Sequence, residues 1–264
     1  MAILWRGSTA WRNVIDAMGK PLHPLLPERN HDDVARQEFV KSLRGHLSAR
    51  VMPGNYAIYA NRIEPEFRAC HGRAPVSREE VRELMLREPY YRFWSGLQRR
   101  SQELMWESVI IPTERQLPAL VEQARQSRSR TAGGTLELDS SVSVPRYHTE
   151  QDIHIQPGGY HTEWVEEDVS AGAIYEAGVQ MYMANAWGEE GAFLGELLVR
   201  FVRERWPTLA PARIIEMGCT IGNSTLPWAR AFPAAEIHAI DVAAAVLRYG
   251  HGRAEALGVP VHFS

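Results

Sequence analysis

Apolar positions in the first part of the chain recur mostly at helical spacing, interrupted by prolines. From Asp32 onward, Val34, Phe39, Val40, Leu43 and Leu47 follow that spacing, and acidic Asp32 and Asp33 suit a helix N-terminus. Met52-Pro53-Gly54 is expected to stop this run. Ser77 followed by Glu80 forms a capping-box pattern that opens SREEVRELMLRE, and Pro89 closes it. The aromatic-rich stretch YYRFWSGLQRRSQELMWESVII predicts a helix ending at Pro112, with Tyr90, Phe93, Trp94, Leu97 and Trp106 as core, and a further helix is predicted over 114–127. Residues 125–135, RQSRSRTAGGT, read as a surface linker, because Arg, Ser and Gly offer no apolar anchor. The next stretch, LELDSSVSVP, alternates apolar and polar residues as a strand or extended arm does.

A second organised block begins near Tyr147. Pro157-Gly158-Gly159 predicts a turn, since Pro presets one backbone angle and either Gly permits a positive one. Residues 168–186 read as helical, and Phe193, Leu194, Leu197, Leu198, Phe201 and Val202 make one apolar helix face that Pro207 ends. The pattern then changes. Arg213 to Met217 reads as a short buried strand, Gly218 to Gly222 as a tight loop, and 223–231 as a helix. Glu236 to Ile240 reads as a second strand ending at Asp241, followed by a helix over 243–257 and a third strand from Val259 to Phe263. Such alternation predicts a parallel sheet with helical crossovers. The expected fold is therefore α/β: a helical region over 1–130, an extended arm, turn and helices over 131–212, and a β-α-β-α-β half-sheet over 213–264.

Composition narrows the function classes. Across 264 residues, 45% hydrophobic and 23% charged are ordinary values for a globular chain and exclude a largely disordered one. A net charge of −3 gives no global basic field, which argues against nucleic acid as a partner. No apolar run approaches the roughly 18 residues that span a bilayer, so no membrane partner is expected. The opening MAILWRGSTAWRN lacks the apolar stretch of a secretion signal, and Cys70 and Cys219 are too few for a disulfide scaffold. Both point to a cytoplasmic protein.

The chemistry concentrates in 213–264. Loops at the carboxyl ends of parallel strands form the ligand crevice of an open α/β sheet. Glycine at 218 and 222 lets backbone approach a ligand with no Cβ in the way, and the helix expected to start after Gly222 would aim free N–H groups into the same crevice. Asp241 lies 19 residues beyond Gly222, where a carboxylate accepts both hydroxyls of an adenosine ribose. The arrangement specifies an adenosine-containing cofactor. A dinucleotide G-x-G-x-x-G fingerprint would need glycine at 220 and 223, which hold Thr220 and Asn223.

The run Glu216-Met217-Gly218-Cys219-Thr220-Ile221-Gly222-Asn223 resembles the first motif, (D/E)-x-G-x-G-x-G, of class I S-adenosylmethionine-dependent methyltransferases, with Thr220 in place of the middle glycine. Asp241 matches that family's acidic residue after the second strand. The resemblance covers about 50 residues and extends less surely to DIHIQPGGYH upstream, which looks like certain bacterial small-molecule members. It implies a Rossmann-like domain with S-adenosyl-L-methionine as cofactor and methyl transfer to a small molecule. Gly218 and Gly222 would line the methionine and ribose part, Asp241 would bind the ribose hydroxyls, and Glu216 would meet the cofactor's amino group or order the loop. Cys219, Thr220 and Asn223 complete the cofactor-binding set. The alternative reading is a plain turn at Gly218 and Gly222, with Asp241 capping the next helix.

No residue is singled out as catalytic. His154 and His161 are candidate bases; with Glu163 they could suggest a metal site, but a seven-residue separation across a Pro-Gly-Gly turn fits no standard zinc pattern, and no metal is expected. Tyr160 and Tyr175 could form a lid wall over the cofactor. The Cys219 thiol reads as small-residue packing, because no histidine is placed by sequence to activate it. The family's sheet has seven strands in the order 3-2-1-4-5-7-6, of which three are visible, so the chain is expected to be a fragment of a longer protein or to be completed by another chain. Homodimerisation through the helical N-terminal region is a further expectation. Two rivals remain: a nicotinamide- or nucleotide-sugar-dependent enzyme on the same scaffold, and a non-catalytic interaction module.

Overall fold

A computed structural model describes residues 22–129, 132–182 and 192–264. The chain separates into two compact units, one over 36–105 and one made of the segment before it together with 106–264. Among the described residues no helix is long and apolar enough to cross a membrane.

The unit over 36–105 is helical. Helix α1, His31–His46, does not stop at Met52-Pro53-Gly54. A π-helical turn over Leu47–Val51 carries it into α2, Met52–Ile58, and Pro53 falls in that segment's first turn, directly after the register shift that the π turn makes. A second π-helical turn, Tyr59–Ile63, leads into α3, Glu64–His71, and Gly72 ends the run with φ 66°. Helix α4, Arg78–Arg87, opens as expected: the Ser77 hydroxyl accepts the Glu80 N–H at 3.2 Å.

Helix α5, Pro89–Ser127, runs through both Pro112 and Pro118, so the helix expected to end at Pro112 and the one over 114–127 are a single element. Trp106, Val109, Leu117, Leu120, Val121 and Ala124 are buried at helical spacing on both sides of Pro112, and that continuous apolar face outweighs the lost backbone bonds. Local side chains help, with the Thr113 hydroxyl donating to Val109 O at 2.8 Å and Gln116 Nε2 to Pro112 O at 3.0 Å. Of the aromatic stripe assigned to the core, Trp106 is buried, whereas Phe93 stands exposed. The segment read as a linker from 125 is no free loop. Residues 125–127 are helical, Arg125 and Arg128 pair with Glu167 at 2.5 and 2.6 Å, and the Glu255 carboxylate accepts the N–H groups of Ala132 and Gly134. Residues 130–131 lie outside the described residues.

The second unit carries a four-stranded, wholly parallel sheet: β1 Thr135–Leu136, β2 Arg213–Met217, β3 Glu236–Ile240 and β4 His262–Phe263, in the order β1-β4-β3-β2. The arm after the linker contributes only the two residues of β1, yet pairs with the strand farthest from it in sequence. Helices α6, Arg146–Thr149, α7, Ser170–Tyr182, and α8, Phe193–Arg205, precede β2; α9, Thr225–Ala231, and α10, Ala244–Ala256, join β2 to β3 and β3 to β4. The helix read over 168–186 is described over Ser170–Tyr182, and 183–186 lie outside the described residues. Ile237, Ala239 and Phe263 pack with Leu226, Ala229, Leu247 and Ala254 in one core between the sheet and its crossover helices.

β2 is not buried as its sequence suggests. It is an edge strand, with Ile215 59% and Met217 85% exposed. The bonds from Glu236 N to Ala212 O and from Gly218 N to Ile240 O direct even-numbered residues toward β3, so Arg213, Ile215 and Met217 present backbone N–H and C=O groups to the open edge. Helix α8 lies against α9, where Gly195 approaches Ser224, but Phe193, Leu194, Leu197, Leu198 and Phe201 remain exposed.

Candidate functional site

The loop between β2 and α9 lies at the carboxyl end of the sheet. Gly218 and Cys219 N–H groups both bond Ile240 O, at 2.7 and 3.1 Å, which folds the loop over the tip of β3. Gly218 has φ 76°, and a Cβ built on it would meet open space; Gly222 has φ 79°, and a Cβ there would crowd the Phe263 ring at 3.3 Å. The first glycine therefore leaves backbone accessible, and the second serves turn and packing. Thr220, at φ 48°, occupies a left-handed conformation without being glycine. The helix starts two residues later than expected: 220–224 form the turn, and α9 opens at Thr225.

Asp241 closes the loop from the other side. Its Oδ2 accepts the Thr220 N–H at 2.9 Å and its Oδ1 accepts the Ala243 N–H at 3.0 Å. The Ala243 bond is an Asx-type turn ahead of α10, whose N-cap is Ala243 and carries no side-chain cap, so the helix-capping alternative is not realised; each carboxylate oxygen keeps a second acceptor direction for a ligand hydroxyl. Glu216, at the tip of β2, is half-buried and accepts the Thr225 hydroxyl; burial raises its carboxyl above the usual range against that bond. Asn223 Oδ1 is buried without a hydrogen-bond partner. Burial, with Asp241 and Glu216 nearby, pushes the Cys219 thiol well up, so it is a protonated packing group at neutral pH.

The upstream block joins this loop. Gly158 and Gly159 both take positive φ, 79° and 62°, as the Pro-Gly-Gly turn requires. Gln156, fully buried, donates to Gly159 O and Ala171 O and fixes that turn to α7. Tyr160 is buried and stands edge-on to Tyr175, with ring centroids 5.3 Å apart, and its hydroxyl meets His154 Nδ1 at 2.5 Å. Both tyrosines pack into the core cluster that holds Ile221 of the loop and Ala243 beyond β3. Burial raises the Tyr175 phenol, with Asp241 and Glu216 adding to that effect and Thr220 opposing it. His161 packs against His148 instead, and Glu163 pairs with Arg248. Among the described residues no three His, Cys, Asp or Glu side chains converge to hold a metal ion.

Beneath the loop lies a charged bracket that the sequence reading missed. Glu176 of α7 and Arg253 of α10 are both buried and paired at 3.1 Å, the Tyr249 hydroxyl donates to Glu176 at 2.8 Å, and His23 Nε2 lies 3.0 Å from it. Arg253 also reaches Ile221 O, at 3.4 Å. Burial alone would raise the Glu176 carboxyl; Arg253 and His23 overcome it and hold it at about 2. The available signal was a single acid in an otherwise uncharged helix, SAGAIYEAGVQMY, whose Gly172 admits the Tyr249 side chain.

The structure therefore brings Glu216, Gly218, Cys219, Thr220, Gly222, Asn223 and Asp241 into one loop-and-strand-tip cluster, with Tyr160, Tyr175 and His154 beside it. No protein-family model, curated protein or solved structure matches this chain.

Proposed function

We propose that residues 213–264 belong to a Rossmann-like domain that binds S-adenosyl-L-methionine at the carboxyl ends of β2 and β3, and that the protein transfers the cofactor's methyl group to a small-molecule acceptor. The observation that carries this reading is the pairing of Gly218, whose backbone faces open space, with Asp241, which is tied to the same loop through Thr220. The unpartnered Asn223 Oδ1 beside them also suits a polar ligand. The cofactor supplies an electrophilic methyl on a sulfonium centre. The protein's part is to place the acceptor in line with it, and proximity and orientation account for much of such an enzyme's advantage. Thr220 and Asn223, where a dinucleotide fingerprint would have glycine, favour this cofactor over NAD.

Titration calorimetry with S-adenosylhomocysteine and with NAD tests the reading. Micromolar S-adenosylhomocysteine binding that Asp241→Ala abolishes is expected. NAD binding in its place would support the nicotinamide rival. The exposed apolar edge of β2 and face of α8 favour a second reading, an interaction module, which the absence of both ligands would support.

A further inference from the structure

Helix α8 has two apolar sides, and α9 covers only one of them. Gly195 and Val199 are buried, and a Cβ on Gly195 would lie 2.8 Å from the Ser224 backbone, so α8 is seated on α9 at close range. Phe193, Leu194, Leu197, Leu198 and Phe201 recur at helical spacing on the opposite side, each between 39 and 57% exposed. Trp206, equally half-exposed, extends that side and stands edge-on to Phe201, with ring centroids 6.3 Å apart. Half-exposed aromatics and leucines in this number leave on the order of 600 Å² of apolar surface, the upper end of what a monomer shows in one patch. Two such faces together would bury about 1,200 Å², where interfaces of standard size begin.

The order of side chains says what fits. Phe193, Leu197 and Phe201 form one ridge four residues apart, with Leu194 and Leu198 in the next, and ridges of this kind pack into the grooves of a second helix. The ridge reads phenylalanine, leucine, phenylalanine in both directions. A two-fold axis at Leu197 therefore sets Phe193 against the second copy's Phe201, and Leu197 against its own counterpart. Glu196, Arg200 and Glu204 border the face with both signs of charge, which suits the polar rim of a self-association and supplies no basic field for an anionic lipid surface. We infer that a second copy of this chain docks on this face, in an antiparallel, two-fold symmetric pair of α8 helices. The homodimer expected of the helical N-terminal region is thereby moved to the sheet-bearing unit, and it stands independently of the cofactor reading.

Sedimentation velocity over a concentration series tests this. The unaltered chain is expected at twice 29.9 kDa, with a dissociation constant on the order of 10 µM for an interface of this size. Leu197→Glu puts two like charges together at the axis and is expected to weaken association at least about 100-fold. Its circular dichroism and urea midpoint should stay as in the unaltered chain, because the side chain faces solvent in the monomer. Cross-linking probes the axis separately. In a Cys70→Ser background, which removes the exposed native thiol, Leu197→Cys is expected to give a disulfide-linked dimer with copper phenanthroline, and Arg203→Cys, on the side toward α9, none. A chain monomeric up to about 100 µM, a dimer that survives Leu197→Glu, or a Leu197→Cys protein that does not cross-link would each overturn the inference. So would a monomer that pellets with phosphatidylglycerol vesicles, since the face would then serve a lipid surface.

Discussion

The two edges of the sheet are finished differently. At one edge β4 is covered by β1, a two-residue strand drawn from more than a hundred residues earlier and clamped where Glu255 accepts two backbone N–H groups. At the strand tips, the loop that follows β2 is braced by a buried Glu176–Arg253 pair, with Arg253 reaching Ile221 O. At the other edge, β2 shows unpaired backbone and two exposed apolar side chains, next to a helix with an exposed apolar face. The polar connections that order a ligand crevice lie on the covered side and at the strand tips. The open edge has the character of a surface that binds other polypeptide. Precise chemistry and bare apolar area are kept apart in the same unit.

The sharpest way to break this contrast is to unpair the bracket. Glu176→Gln leaves Arg253 buried without its counter-charge, and chemical denaturation is expected to show a loss of about 3–5 kcal/mol. Because the carboxyl sits at about 2 when folded, its contribution is full above pH 4.5 and is lost progressively as pH falls from there to about 2, so the variant's deficit should hold down to about pH 5 and shrink below it. Gly134→Ala attacks the covered edge itself. A Cβ there would lie 2.5 Å from Val261 O, and the substitution should cost about 1–3 kcal/mol, with faster amide exchange at Phe263 and Glu137.

A smaller effect follows from His251, buried on α10. Burial, aided by Arg128, lowers its pKa below 6.5 against the pull of Glu255. The unfolded chain therefore takes up the proton first, so stability is full above pH 6.5 and falls as the solution is acidified below it. His251→Asn should flatten the decline in urea midpoint between about pH 7 and about pH 5. Ile215→Lys with Met217→Lys should change stability least, by less than about 0.5 kcal/mol, while reducing self-association in sedimentation runs. A large loss from that pair would mean the β2 edge is packed, and the contrast would fail.

Local signals were legible. Ser77 with Glu80, Pro157-Gly158-Gly159, and the loop from Gly218 to Gly222 each use neighbouring residues, and Asp241 is set by strand length. What escaped depends on distant partners. Helix α5 continues through Pro112 because burial of Val109 and Leu117 on either side outweighs backbone preference, and Pro53 is harmless because a π-helical turn resets the helix before it. Glu176 and Arg253 are 77 residues apart, and no periodicity announces such a pair. The apolar run of β2 read as buried because pattern alone does not say whether a neighbour is present, and for the same reason the apolar face of α8 did not announce its exposure.

The most direct test is amide hydrogen exchange with and without S-adenosylhomocysteine. Slower exchange confined to 218–222, 241–243 and the segment around Tyr175, with 213–217 and 193–201 unchanged, is the predicted result. Protection centred on the β2 edge or on α8, with the glycine loop unaffected, would contradict the account.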